Sequence, residues 1–351
     1  MADAFIGALC ERVKDHAARK APLRIRGGGT KDFYGAAREG EVLDVASYAG
    51  IVAYEPKELV VTVRAGTKLR DLEAELASQR QMLAFEPPHF GESATIGGTV
   101  ACAFSGPRRP YAGSLRDFVL GTRIVNGKGE DLSFGGRVIK NVAGYDVSRL
   151  MAGALGTLGV ITEISFKVLP RPAVETTLAF EWEEERATQQ VNLWAGLPLP
   201  LSATSWQGGQ LRVRLSGAPT AVAAAKAKMG GDEIDAGVYW EDLREHRLPF
   251  FREGVALWRL SLPQTAPRIP TPKAQLIEWG GGVRWTEGPV DVIELRSIVE
   301  KLGGHAMIFR GGSAADGIFH PLRPALGKIH KRLKLAFDPA DILNPGRMYD
   351  F

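Results

Sequence analysis

Cysteine is almost missing from this 351-residue chain: only Cys10 and Cys102 occur. There is no C-x-x-C pair, so the chain cannot by itself supply the thiolates of an iron–sulfur cluster, and a disulfide framework is not expected. Long apolar runs are missing too. No stretch of about 18 uncharged apolar residues appears, so neither a membrane-spanning helix nor direct membrane insertion is expected. Residues 1–20 mix acids and bases and lack an apolar segment of leader-peptide length, which points to the cytoplasm. Charge of one sign is scarce: 44 Lys and Arg face 40 Asp and Glu, a net charge of +4. There is no basic tract, and Arg108-Arg109 is a pair and not a run, so no nucleic-acid partner is expected. No metal site is expected either.

Glycine is plentiful. The 41 Gly and 21 Pro lie scattered among apolar segments and read as turns and loops rather than disorder. The length suits about two domains. Phe5, Leu9, Val13 and Ala17 mark one face of a helix that ends before Pro22. Leu23 to Arg26 reads as a strand, and Glu58 to Ala65 as another. Thr67 is expected to cap a helix carrying Leu69, Leu72 and Leu76 on one face. Residues 85–111 are too rich in Gly, Pro and small side chains for a turn and read as a functional loop with a short embedded helix. Phe118 to Val125 is strand-like, and Asn126-Gly127-Lys128-Gly129 signals a hairpin. Val160, Thr162, Ile164, Phe166 and Val168 share one face of a strand stopped by Pro170 and Pro172.

Those prolines set the expected boundary of a first domain, 1–172. A second, α+β domain is expected over 173–327, with strands near 211–215 and 256–262 and helices near 220–229 and 290–302. All seven tryptophans fall there, in the core or at an interface. Residues 328–351 form a C-terminal segment. Its Lys328, Lys331, Arg332 and Lys334 make a basic helix face, read as solvated or as a docking surface for an acidic partner.

Three glycine-rich runs carry the chemistry. Arg26-Gly27-Gly28-Gly29-Thr30, then Lys31, follows a strand directly. Its amides and the Thr30 hydroxyl suit a pyrophosphate, and it is not the Rossmann fingerprint. Ser93-Ala94-Thr95-Ile96-Gly97-Gly98-Thr99-Val100 has the same character, extended by Gly106, Tyr111 and Gly113. Gly156-Thr157-Leu158-Gly159-Val160-Ile161 opens the alternating strand. Singly each run is a weak signal; in this order, between βα elements, they are hard to explain as turns.

These runs resemble the FAD-binding domain of the vanillyl-alcohol oxidase and p-cresol methylhydroxylase type. The ending, Phe337-Asp338-Pro339 with Ile342-Leu343-Asn344-Pro345-Gly346-Arg347, resembles that family's C-terminal return to the flavin domain. Glu86-Pro87-Pro88-His89-Phe90-Gly91, Ile139-Lys140-Asn141-Val142-Ala143-Gly144-Tyr145-Asp146 and Gly303-Gly304-His305-Ala306 extend the likeness over the whole chain to the E subunits of bacterial glycolate oxidases. The resemblance implies an α+β fold: a two-subdomain FAD-binding domain with an inserted α+β cap. It implies FAD on the three runs, with Asn344 and Arg347 reaching the flavin. It also implies work beside a paralogous flavoprotein D subunit and an iron–sulfur F subunit, oxidising glycolate to glyoxylate. The complex would be cytoplasmic or held peripherally at the inner membrane through its partners.

Two departures matter. Relatives with covalent flavin carry His after the first glycines, where this chain has Thr30; non-covalent FAD is therefore expected. A cap motif Gly-Glu-His-Gly, which serves substrate in D-type and lactate-oxidising relatives, is missing; Glu245-His246 is followed by Arg247. A stand-alone FAD-dependent 2-hydroxyacid dehydrogenase and a non-catalytic electron-transfer or assembly subunit thus stay open as alternatives. No catalytic residue is assigned. His89 reads as a flavin contact or, preferably, as a loop histidine with a structural hydrogen bond. His305 and His320 are candidates for a substrate pocket, and His16, His246 and His330 read as solvated. Arg108, Arg109 and Arg116 divide evenly between anion binding and ion pairing.

Overall fold

A computed structural model describes residues 2–36, 39–136, 146–270, 274–312 and 317–350. Lys140 and Tyr145 lie outside the described residues. Helix Ala2–Arg19 presents Leu9 and Val13 to a small core shared with Leu23, Leu43, Val125, Val160, Ile342 and Leu343. Strand Leu23–Arg26 pairs in parallel with Glu41–Asp44 and bridges to Leu343 near the chain end. The C-terminal tail is thereby stitched to the first strand, with Leu23 N–H donating to Ile342 O at 2.7 Å and Asn344 N–H to Leu23 O at 3.0 Å.

A five-stranded antiparallel sheet follows, in the order Ile51–Glu55, Val60–Arg64, Val160–Lys167, Val119–Val125, Asp131–Gly135. Strands Glu41–Asp44 and Ile51–Glu55 have no clear alternation in sequence because most of their residues stay exposed or half-buried. Thr67 does not cap the helix Leu69–Ser78: Lys68 holds that position, with no side-chain cap. The Thr67 hydroxyl instead exchanges hydrogen bonds with the backbone of Gly50, at 2.9 and 3.2 Å. The 85–111 stretch contains the helices Ile96–Cys102 and Arg109–Ala112.

Leu169–Pro170 pairs with Gln81–Met82, and Val174–Glu181 already belongs to another sheet. This second sheet has eight antiparallel strands, in the order Asp232–Ile234, Val174–Glu181, Gln210–Gly217, Leu201–Gln207, Gln275–Glu278, Val283–Glu287, Leu257–Ser261, His305–Arg310. Strand alternation gives it two faces. Trp258, Leu260, Ala306 and Ile308 pack with Leu295 and Val299 of helix Val292–Lys301. Arg259, Trp285 and His305 lie on the opposite side, toward the glycine-rich domain; Arg259 is paired across strands with Trp285, and Ser261 with His305.

Buried charge joins the two parts. Glu86 accepts from Arg108 Nε at 3.0 Å and from Arg214 at 2.8 Å, and Arg108 also reaches Glu175 at 2.7 Å. Glu245 accepts the backbone N–H groups of His89 and Phe90 at 2.8–3.1 Å. Trp279 Nε1 donates to Gly106 O at 3.1 Å.

Candidate functional site

The first and second glycine runs meet face to face. A Cβ on Gly28 would sit 1.5 Å from Ser93 O, and one on Gly27 would sit 2.3 Å from Thr95 Oγ1. These glycines are therefore demanded first by loop-to-loop packing, not only by room for a ligand. The Ser93 hydroxyl fixes the same contact by donating to Gly28 O at 2.7 Å. Among the described residues, no protein acceptor meets the backbone N–H groups of Gly28, Gly29, Thr30 and Lys31. Successive unpaired amides of this kind form an anion-binding concavity.

Lys31 is buried at the edge of this cleft. Its Nζ donates to His89 O at 3.0 Å and lies near Thr30 Oγ1 at 3.4 Å, and no carboxylate pairs with it among the described residues. Burial lowers its pKa. Arg347, arriving from the C-terminal tail, donates to Lys31 O and Tyr34 O at 3.4 and 3.2 Å. Its Nε is buried with no partner. Unpaired buried cations are costly and mark places where an anion is expected. The narrow cleft, ≈ 80 Å³, is lined by residues 26–32, Gly97, Gly98, Gly156, Gly159, Asn344 and Arg347.

Cys102 borders this cleft and also the second cavity, which occupies ≈ 1010 Å³ between the glycine-rich loops and the eight-stranded sheet. Burial pushes the Cys102 thiol up to about 11, so it stays protonated and unreactive near neutrality. One wall is aromatic, with Tyr34, Phe90, Phe104 and Phe309 in mutual ring contact. The sheet wall carries Arg259, Glu278, Trp285 and His305. Glu278 accepts from Trp285 Nε1 at 2.6 Å, and burial pushes its carboxyl up to about 7. His246 stacks on Phe251 at 4.0 Å; burial, then Arg310 and Arg259, hold its pKa well below the ordinary value, so the ring is neutral.

A family described as an FAD binding domain matches residues 6–135. Glycolate oxidase subunit GlcE of Escherichia coli (strain K12) is 49% identical over 342 residues, covering 97% of each chain. This chain belongs to the glycolate oxidase E-subunit family. Glycolate oxidase subunit GlcD of Bacillus subtilis (strain 168) is 32% identical over 173 residues, which cover 49% of this chain and 37% of that protein. The solved structure of p-cresol methylhydroxylase with substrate bound has a TM-score of 0.73 at 17% identity, covering 98% of this chain and 87% of that one. At that identity the likeness shows the fold alone: an α+β architecture of the p-cresol methylhydroxylase type. As a member of this family the chain is an FAD-binding oxidoreductase.

Within this E-subunit chain the structure gathers Arg26, Gly27, Gly28, Gly29, Thr30, Lys31, Thr95, Gly97, Gly98, Gly156, Gly159, Ile161, Asn344 and Arg347 at one cleft. Gly106 and Gly113 line the second cavity instead. Other expected site residues lie elsewhere. Ile96 and Val100, one turn apart on the inner face of helix Ile96–Cys102, and Val160, at the start of its strand, are core side chains. Ser93 acts through its bond to Gly28. Tyr111 packs against the core of the eight-stranded sheet around Leu201, Val213 and Leu215. Thr157 folds back onto Ala154 O at 2.7 Å and faces a different hollow. Asn344 reaches the cleft, but both ends of its amide are engaged. It accepts from Ile25 N–H at 2.9 Å and donates to Leu155 O at 2.7 Å.

Three readings of charged side chains change. His16 is buried, with Nδ1 3.0 Å from Ala21 O, and His246 lines the large cavity, so neither is a solvated helix histidine. Lys334 is not solvated; it is buried and donates to Asp338, Thr157 O and Leu343 O at 2.7–3.0 Å, tying down the tail. Arg108 is an ion-pair residue, whereas Arg109 and Arg116 line the large cavity. His89 takes the structural option, 2.8 Å from Glu73 Oε2.

Proposed function

We propose that this chain is the FAD-carrying E subunit of a glycolate-oxidising complex, with the cofactor held non-covalently. The observation that carries the reading is the junction at Cys102. There a backbone-lined, cation-edged cleft and a large cavity share a wall. Such a shape suits a cofactor with a pyrophosphate at one end and a flat ring system at the other. The amides of Gly28 to Lys31 would bind the pyrophosphate, with Lys31 and Arg347 balancing its charge. Gly97, Gly98 and Gly156 would let the second and third loops close on it.

When bound, the flavin supplies the acceptor for two electrons from an alcohol carbon; the protein orients it and excludes water. The Thr30 hydroxyl is only a weak nucleophile for a covalent bond, and so is the protonated Cys102 thiol. Glycolate as the substrate follows from the near full-length likeness to a glycolate oxidase subunit. The paralogous flavoprotein D subunit is the expected neighbour. An iron–sulfur F subunit is expected as the next carrier because two isolated cysteines cannot hold a cluster. No described helix is long and apolar enough to cross a membrane, so contact with a membrane would run through the partner subunits.

The test is co-expression of the three subunits with wild-type or Gly28→Val E subunit, followed by glycolate-dependent reduction of an artificial electron acceptor. The variant complex should assemble with less flavin and lose most of its activity. Full flavin content and activity in the variant complex would sink the reading.

A further inference from the structure

Two arginines face the large cavity without an anionic partner. Arg259, in the middle of strand Leu257–Ser261, lies over the rings of Trp279 at 5.1 Å and Trp285 at 5.9 Å. Arg109, from the glycine-rich domain, lies over the same Trp279 at 4.5 Å. Among the described residues neither guanidinium has a carboxylate within ion-pair distance or a hydrogen-bond acceptor. Elsewhere the protein satisfies such groups: Arg214 and Arg108 share Glu86, and Arg284 has Glu184 and two backbone carbonyls.

The neighbouring carboxyls do not fill the gap. Glu278 accepts from Trp285 Nε1 and Asp117 accepts from the Ser114 N–H and hydroxyl, and neither is in ion-pair contact with Arg259 or Arg109. The neighbouring imidazoles bring no negative charge, and burial keeps both His246 and His305 below their ordinary values, so they are neutral near pH 7. The indole rings of Trp279 and Trp285 pack against the guanidinium groups, and both arginines line the cavity. A planar fork with free N–H edges in a low-dielectric pocket fits a carboxylate in bidentate fashion. The cofactor's own pyrophosphate is provided for on the other wall, by the first glycine loop.

We propose that Arg259, assisted by Arg109 across the domain junction, binds the carboxylate of a small 2-hydroxy acid, giving this chain an anion site of its own. The inference rests on the FAD reading above, in that the acid would lie in the cavity assigned to the flavin ring. It favours a subunit that meets substrate over one that only relays electrons. Trp279 is the positioning residue, since it holds both arginines and is anchored by its bond to Gly106 O.

Oxalate is the probe, as a small dicarboxylate that flavin does not oxidise by hydride removal. The full chain, reconstituted with FAD, is titrated with oxalate by calorimetry and by the visible flavin band, after flavin content is measured. The wild type should bind oxalate saturably and shift the flavin band. Arg259→Gln should weaken binding roughly ten- to a hundredfold at unchanged flavin content, and Arg109→Gln by a smaller factor. Because Arg259 lies among packed rings, Arg109→Gln, on the opposite wall, decides the matter if Arg259→Gln fails to fold. No saturable oxalate binding by the wild type, or wild-type affinity in a folded variant, overturns the proposal. A chain without any flavin band would count against the FAD reading alone; calorimetry on that chain would still decide whether the arginines bind the anion.

Discussion

The cleft and the cavity are built in opposite ways. The cleft is made largely of backbone: residues 27–31, Gly97, Gly98 and Gly156, from three short glycine runs held together by loop-to-loop contacts. The cavity wall is made of side chains: Arg259, Glu278, Trp285 and His305, drawn from four strands of one sheet face. A backbone site is general. It recognises a cofactor by shape and by amide direction, and it tolerates little change in its glycines. A side-chain site is specific. It can be altered one residue at a time without disturbing its neighbour.

That contrast orders the ways to break it. Gly28→Val should have the largest effect, because a Cβ there falls 1.5 Å from Ser93 O and must drive the first two loops apart. The purified variant should carry almost no FAD, read from its flavin absorbance, whereas Arg259→Gln should keep its full complement. Equal flavin loss in the two would erase the distinction. Next comes the joint between the regions. Glu86→Ala leaves Arg108 and Arg214 buried without their shared carboxylate. It should cost about 3–5 kcal/mol of unfolding free energy, measured by denaturant titration.

Asn344→Ala should cost less, about 2–3 kcal/mol, by leaving Ile25 N–H and Leu155 O without their partner. Its flavin content should fall only as far as the tail loosens. The smallest effect concerns Glu278, whose carboxyl is raised by burial from 4.5 to about 7. Its stabilising contribution is full below pH 4.5 and is lost as pH rises to about 7, since over that range the unfolded chain gives up a proton that the folded state retains. Glu278→Gln, which can still accept from Trp285, should therefore gain about 1–2 kcal/mol over the wild type at pH 8 and nothing at pH 4. Thermal melts at the two pH values check the sign. Oxalate affinity should also fall through the same window. Among the groups facing that site, Arg259 and Arg109 stay charged, Asp117 stays ionised and Tyr34 stays protonated, burial favours the neutral rings of His246 and His305, and Glu278 gains negative charge.

The same contrast explains what the sequence disclosed. The cleft was legible because glycine runs are local: Gly27-Gly28-Gly29 and Thr95-Ile96-Gly97-Gly98 sit in order on the chain and come together in space. What the runs did not disclose is that Gly28 serves the contact with Ser93 before it serves any ligand. The cavity was legible only in part: Gly106, Gly113, Arg109, Arg116 and His305 stood out and line it, whereas Arg259 and Glu278 did not. Arg259 lies 19 positions before Glu278 and 46 before His305 along the chain, and only strand pairing brings them to one face. His246 misled because Glu245 and Arg247 flank it, a pattern that usually means a solvated helix. Here Glu245 turns back to clamp the backbone of His89 and Phe90, which carries His246 inward. Lys334 misled for the same reason, since a basic helix does not announce the carbonyls its tail will place around one ammonium.

The central claim is that a backbone cleft holds FAD without a covalent bond, and release of the cofactor tests it most directly. The full chain is saturated with FAD, freed of excess, precipitated with acid and centrifuged, and flavin is measured in both fractions. The account predicts a single FAD per chain, all of it in the supernatant. Flavin that stays with the precipitated chain would contradict the non-covalent site, and a chain that retains no FAD before precipitation would contradict the cleft itself.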